Sequence, residues 1–209
     1  MATSAPEALE KQLEALDRFT SLMVERSAPL RFGTAETPEE REAAYRLRGR
    51  ALIERGNASP SDFPDGLEFD AFDAHGVQVL GWDESGEVVA TARIVLPYGG
   101  PLPIESTFDI TIVPHGQVID AGRFVVAHHL ASRENRYFVG LLSFSWLVAR
   151  KHGYHLVCGV ASPGMVRHYR RLGFSVTELA PPKVYYGEER VPCWIDVVGS
   201  GSRLESLWS

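Results

Sequence analysis

Met165-Val166-Arg167-His168-Tyr169-Arg170-Arg171-Leu172-Gly173-Phe174 follows an apolar run over residues 154–160 and a Ser162-Pro163-Gly164 break. The order is strand, break, short basic helix, then Leu-Gly-Phe opening another strand. Gly173 has a physical reason to stand there, because a helix that turns straight into a strand needs a residue tolerant of positive φ. Tyr169 lies one turn before that stop, so its hydroxyl can point along the helix into whatever the strands enclose. Taken alone, the stretch is equally an ordinary helix-to-strand junction with a half-buried tyrosine.

Working outward, residues 133–152 keep a helical period through Phe138, Leu141, Leu142, Val148 and Ala149, and residues 118–127 read as the strand before them. Upstream, residues 77–82 and 88–96 form a hairpin across Asp83-Glu84-Ser85-Gly86. Thr37-Pro38-Glu39-Glu40 is a helix start, with Thr as N-cap, Pro at the first position and Glu three residues after the cap. That helix is expected to reach Gly56. Before it come a helix over 6–25 and a short strand over 29–32. Pro-, Ser- and Gly-rich stretches at 57–66 and 97–103 are loops, the second leading to a short segment around Phe108. Strands are expected at 174–179 and 192–198. The order departs from regular βαβ alternation and fits an α+β, α/β/α sandwich. Its sheet is mixed but mostly antiparallel, with helices on both faces.

At 209 residues, one domain (28–209) with an N-terminal helical extension (1–27) is expected. The net charge of −6 argues against a nucleic-acid binder that neutralises phosphates. Cys158 and Cys193 sit far apart in apolar runs, as buried reduced thiols do, and they exclude a dense cysteine metal site. No stretch approaches the roughly 20 apolar residues of a membrane helix, and residues 1–10 lack the pattern of a secretory signal. The chain reads as cytoplasmic. His128 and His129 read as loop residues rather than metal ligands, since no second ligand cluster has suitable spacing.

The Tyr169–Phe174 stretch resembles the second acyl-CoA-binding segment of the Gcn5-related N-acyltransferase superfamily, the GNAT fold. That resemblance implies neighbouring parallel strands, here 118–127 and 154–161, that splay in mid-sheet to admit an acyl-pantetheine arm. The arm would pair with exposed backbone at Val125, Val126 and Ala127, as an added strand does. Within the superfamily, the chain resembles the acyl-homoserine-lactone synthases and the related N-acyl amino acid synthases. The matching order is Arg48, Asp70 and Asp73 (in Glu68-Phe69-Asp70-Ala71-Phe72-Asp73), Arg93, Phe108, and Asp120-Ala121-Gly122-Arg123-Phe124. It departs at Asp120, where the family usually has Glu, and at Leu52 and Ala58, where the lactone synthases carry aromatics. Those losses favour an amino acid acceptor over the lactone chemistry.

The resemblance implies substrate-contacting roles for Arg48, Asp70, Asp73, Arg93, Phe108, Arg123 and Phe124. The three arginines would hold the two aspartates and the substrate carboxylate. A structural brace between loop and sheet explains Asp70 and Asp73 equally well. Asp120 is the expected base for the ammonium proton, because a carboxylate in an apolar strand is costly without a purpose. If its strand is regular, Asp120 and Phe124 share one face and Arg123 takes the other, unless Gly122 hosts a bulge. Tyr169 is the expected acid for the leaving thiolate. Oxyanion donors are expected among the N–H groups of 124–127.

Where acetyl-CoA users carry a glycine-rich pyrophosphate loop, this chain has Arg133-Glu134-Asn135-Arg136-Tyr137-Phe138. Arg133 and Arg136 are therefore candidate donor contacts, and the donor is acyl-CoA or the acyl-pantetheine of acyl carrier protein. Arg150, Lys151, Arg167, Arg170 and Arg171 are expected to join them as a basic mouth for an acidic carrier. An acetyl-CoA-dependent small-molecule N-acetyltransferase and a non-catalytic acyl-thioester-binding module stay open on the residues alone.

Overall fold

The computed structural model describes residues 5–98 and 100–208. Helix α1 (Ala5–Arg26) leads through β1 (Arg31–Thr34) to α2 (Pro38–Glu54). After a long loop with two 3-10 turns come β2 (Val77–Trp82), β3 (Val88–Val95), α3 (Pro103–Phe108) and β4 (Val118–Val126). Next are α4 (Glu134–Lys151), β5 (Leu156–Ala161), α5 (Pro163–Leu172) and β6 (Ser175–Glu178), then β7 (Lys183–Tyr185), β8 (Glu188–Asp196) and α6 (Val197–Trp208). The strands run in the order β1-β2-β3-β4-β5-β8-β6, with β7 paired to β8. Among the described residues, β4 and β5 form the parallel ladder and the others are antiparallel.

Local chemistry accounts for the ends of the decisive elements. Thr37 accepts the Glu40 N–H and the Glu40 carboxylate accepts the Thr37 N–H, each at 3.2 Å. A cap of this kind is worth about 1 kcal/mol. Ser162 caps α5 by accepting the Met165 N–H at 3.2 Å. Gly173 closes α5 at φ 107, and the Phe174 N–H returns to the Tyr169 carbonyl at 3.0 Å.

Two parts of the C-terminal third differ from the reading of the sequence. The strand expected at 192–198 starts at Glu188 and ends at Asp196, because Lys183–Tyr185 folds back on it through Tyr186 and Gly187 at φ 50 and 68. Two left-handed residues make the tight turn that suits a hairpin, here with Tyr at the position usually held by Asn or Asp. Val197 and Val198 belong to α6, whose first turn is capped by Asp196 accepting the Gly199 N–H at 2.8 Å. Apolar continuity across Asp196 hides that break in the sequence. The segment around Phe108 is a helix, with Glu105 accepting the Leu102 and Ile112 N–H groups at 2.7 Å each.

Helices α4, α5 and α6 cover one face of the sheet with α1 laid across α4, while α2 and α3 cover the other. Helix α1 is part of the core, contributing Leu13 and Leu16 to the main apolar cluster. Gly140 lets α4 approach the end of α1, since a Cβ there would come within 2.0 Å of Ser27 Oγ.

The β4–β5 ladder places the site. It pairs Val118, Ile119 and Asp120 with Leu156, Val157 and Cys158 and then stops, three pairs long. Beyond it the two strands separate, as the superfamily resemblance implies. The other edge of β4 carries a bulge. Thr91 pairs with Val125 and Arg93 with Gly122, so Arg123 and Phe124 together face one residue of β3, and Arg123 takes φ 56. This corrects the facing expected for a regular strand. The bulge turns Arg123 onto the Asp120 face and Phe124 onto the α4 face, and it is Arg123 rather than Gly122 that adopts the left-handed conformation.

Candidate active site

Two cavities meet where β4 and β5 part, and Phe124 and Tyr169 line both. One is apolar, about 80 Å³, enclosed by α1 (Leu16, Phe19), β4 (Ile119, Ala121), α4 (Leu142, Trp146) and α6 (Leu204). The other is polar, about 140 Å³, and runs between Gly122–Val125 of β4 and Val160–Ser162. Its rim carries Arg48, Leu52, Arg55, Glu68, Arg123, Tyr185, Tyr186, Glu188 and Arg190.

An ion network lies under the polar cavity. Arg48, 1% exposed, donates to Asp73 through Nη1 at 2.8 Å and Nη2 at 3.0 Å, and its Nε donates to Glu68. Arg93 Nη1 donates to Asp70 at 2.6 Å and Asp73 at 2.9 Å. Arg123 donates to Glu68 at 3.0 Å and Asp70 at 2.9 Å, and Tyr186 donates to Glu68 at 2.9 Å. Gln78 donates to Asp73 at 2.8 Å. Burial opposes the charge on Asp73, but the hydrogen bonds and charge of Arg48, then the charge of Arg93, hold its carboxyl down at about 2. Burial likewise works against the Arg48 guanidinium, and Asp73 and Glu68 outweigh it.

Three arginines thus meet three carboxylates, Glu68, Asp70 and Asp73, which fasten the loop between α2 and β2 to the sheet. Glu68 was not among the residues singled out from the sequence, yet it is fully buried and joins Arg48 to Arg123. The signal was its spacing: Glu68 and Asp70 share one side of an extended segment, and the intervening Phe69 is 61% exposed.

Asp120 is 4% exposed on the α3 side of β4 and accepts the Ile104 N–H at 2.8 Å. It has no ion-pair partner among the described residues. Burial pushes its carboxyl up to about 6, against smaller lowering by the Ile104 N–H, Arg93 and Arg123. Asp120 is not itself in the cavity wall, but its neighbour Gly122 is. A Cβ built on Gly122 would lie 3.7 Å from Asp120 Oδ1, so the bare backbone there separates carboxylate from cavity.

Tyr169 is buried, stacked on Phe138 at 6.3 Å between ring centroids, and burial raises its pKa. Val125 lines the polar cavity. The Ala127 N–H donates to the Val89 carbonyl at 2.8 Å, so Ala127 is not a free backbone donor as expected. Ladder alternation then turns the Val126 N–H toward the gap.

Phe108 lies in a second core under α3 with Ile104, Val118 and Cys158, outside the walls of both cavities. Phe138, at a position where acetyl-CoA users have glycine, is a core residue packed on Phe124 and Tyr169. Arg136 is exposed near the start of α4, donating to Tyr137 at 3.0 Å, while the side chain of Arg133 lies outside the described residues.

The basic mouth expected from the sequence does not form as a single cluster. Arg150 binds Asp17 at 3.2 Å and Glu10 at 3.8 Å on α1, at the far end of an 18-residue helix. A helix of that length spans about 27 Å. Arg170 is paired with Glu178 at 3.2 Å. His128 and His129 are exposed in a 3-10 turn. Among the described residues, no cluster of His, Cys, Asp and Glu is arranged to hold a metal ion, and no helix is long and apolar enough to cross a membrane.

The split parallel ladder between helix layers, with a cavity on each side, defines a GNAT-like N-acyltransferase fold. The chain belongs to the N-acyl amino acid synthase FeeM family, whose model matches residues 43–194. It is similar to TofI, solved in a ternary complex with an inhibitor and MTA, at 25% identity over 85% of this chain and 96% of that one, TM-score 0.65. It is also similar to FeeM, an N-acyl amino acid synthase from uncultured soil microbes, at 19% identity over 85% and 97%, TM-score 0.64. A third is BjaI, a CoA-dependent acyl-homoserine lactone synthase solved with SAM and isopentyl-CoA, at 19% identity over 81% of each chain, TM-score 0.64. At 19% identity, the last two show a shared fold. No curated protein matches the chain. Family membership makes the chain an N-acyltransferase acting on an acyl donor and an amine.

Proposed function

We propose that the acyl chain of a pantetheine thioester occupies the apolar cavity while an amino acid enters the polar one, and that the two meet between Phe124 and Tyr169. The observation that carries this is the pair of cavities sharing those two residues at the end of the three-pair parallel ladder. An apolar chain gains from leaving water and a charged acceptor gains from the polar rim, so the two compartments sort the substrates.

In this reading, Asp120 accepts the ammonium proton through a water held at Gly122. A carboxyl with a pKa of about 6 is mostly ionised at neutral pH and close enough to the ammonium to exchange a proton. The amine then forms the C–N bond, and the Val126 N–H stabilises the oxyanion. The C–S bond breaks as the tetrahedral species collapses. Tyr169 stays protonated because burial raises its pKa, so it acts by hydrogen bonding to the departing sulfur, and the proton lost by the acylated nitrogen reaches the thiolate through water.

Without a glycine cradle for a pyrophosphate, acyl carrier protein is the favoured donor over acyl-CoA, with Arg136, exposed near the start of α4, as a contact for it. BjaI, solved with isopentyl-CoA, keeps CoA as the second donor to test. Either donor places the reaction in the cytoplasm. Mass spectrometry of products from purified protein, a panel of amino acids and acyl donors of several lengths tests the reading. An N-acyl amino acid from donors longer than acetyl is expected. Turnover of acetyl-CoA alone overturns it.

A further inference from the structure

The three arginines first expected to hold a substrate carboxylate are already committed. Arg48, Arg93 and Arg123 face Glu68, Asp70 and Asp73 in equal number, so that network is closed and neutral. The polar cavity nevertheless carries two further arginines. Arg190 extends from β8 beside Val191, which pairs with Ala161 on the far side of the gap. Arg55, just past the end of α2, lies on the same cavity wall. One carboxylate opposes them: Glu188 takes Arg190 Nη2 at 2.5 Å and also accepts from Asn57 at 3.2 Å. Among the described residues, the rim therefore holds one positive charge more than the ion pairs there answer.

Arg190 also has an unused donor. Among the described residues its buried Nε has no hydrogen-bond partner, and buried N–H groups are nearly always paired. Burial, then Arg123 and Arg55, work against its charge, and Glu188 only partly offsets them. A bound anion at the accessible part of the guanidinium, which is 21% exposed, would supply the missing charge.

We infer that Arg190, with Arg55 beside it, binds the free carboxylate of the acceptor amino acid and makes that carboxylate a requirement for efficient acylation. The inference rests on the N-acyl transfer proposed above. A lactone, ester or amide would leave the excess charge unanswered, so the acceptor class is the free amino acid. A fork of guanidinium donors is suited to a carboxylate, and a lysine would supply the charge without the fork.

The test compares one amino acid with its methyl ester, using the same acyl donor, in the unaltered protein and in Arg190→Gln and Arg190→Lys. The unaltered protein is expected to favour the acid in kcat/KM by roughly 10- to 100-fold, the effect of one or two charge-assisted hydrogen bonds. In Arg190→Gln the acid-to-ester ratio collapses toward one, mainly through KM for the acid, and Arg190→Lys recovers part of it. Equal use of acid and ester by the unaltered protein overturns the inference, whether or not the variants fold. An equal rise of KM for both substrates in Arg190→Gln overturns it too. If no amine of either kind is acylated, the transfer reading itself fails, a result distinct from loss of discrimination.

Discussion

The Asp120 carboxylate accepts the backbone N–H of Ile104 at 2.8 Å, tying the middle of β4 to the first turn of α3. That single bond holds a buried carboxylate two residues from Gly122 in the wall of the polar cavity without giving it an ion-pair partner among the described residues. The consequence is a base whose affinity for a proton is set by burial.

Replacing Asp120 by Asn keeps the shape and can keep the bond to Ile104, but it cannot take a proton. Turnover is expected to fall by roughly 10²–10⁴, and the acidic limb of kcat/KM, centred near pH 6 in the unaltered protein, is expected to flatten. Steady-state rates from pH 5 to 9 check both, and near-normal turnover would remove Asp120 from the mechanism.

Stability moves the other way. The Asp120 carboxyl binds its proton more tightly folded than unfolded, so its contribution is fully present below pH 3.8 and is lost as pH rises through about 6. A raise of about two units corresponds to about 3 kcal/mol of penalty at neutral pH. Asp120→Asn should therefore raise Tm at pH 7.5 by roughly 6–12 °C for a chain of this size. The gain should shrink below pH 4. A lower Tm at neutral pH would contradict it.

Arg48→Met removes the central cation and strands Glu68 and Asp73 in the interior. A loss of about 3–5 kcal/mol is expected from denaturant unfolding. Asp73, held down at about 2, contributes stability that is present above pH 3.8 and lost as pH falls toward 2. The unaltered protein should lose that contribution in acid, and Arg48→Met should lose less of it there.

Tyr169→Phe deletes only the hydroxyl of a residue that lines both cavities. A drop in kcat of roughly 3- to 30-fold is expected, well short of the Asp120→Asn effect, with the acidic limb intact. Loss of that limb in Tyr169→Phe would exchange the two assignments.

Ser143 and Leu16 face the apolar cavity from α4 and α1. Ser143→Leu should shorten the preferred acyl chain, and Leu16→Ala should lengthen it at a cost of about 2–5 kcal/mol in stability. Competition among donors of graded length reads this directly. An unchanged length preference in both variants would move the acyl chain elsewhere.

Much of this arrangement is written in local sequence. The Thr37–Glu40 cap, the hairpin at Asp83–Gly86, the helical period of α4 and the Gly173 stop depend on neighbours a few residues apart, so residue type and spacing determine them. The order Arg48, Asp70, Asp73, Arg93, Phe108, Asp120, Arg123 was legible only through its resemblance to the synthase pattern. What those residues touch was not. Only the tertiary structure shows that Glu68 completes the network, that a bulge at Arg123 reverses the facing of Arg123 and Phe124, and that Arg150 is bound to α1. It alone leaves Arg190 with a donor to spare. The network, the bulge and the Arg150 pair join groups from 20 to 133 residues apart in a largely low-dielectric interior, where pairing is decided by distance and burial, and neither quantity is carried by sequence spacing.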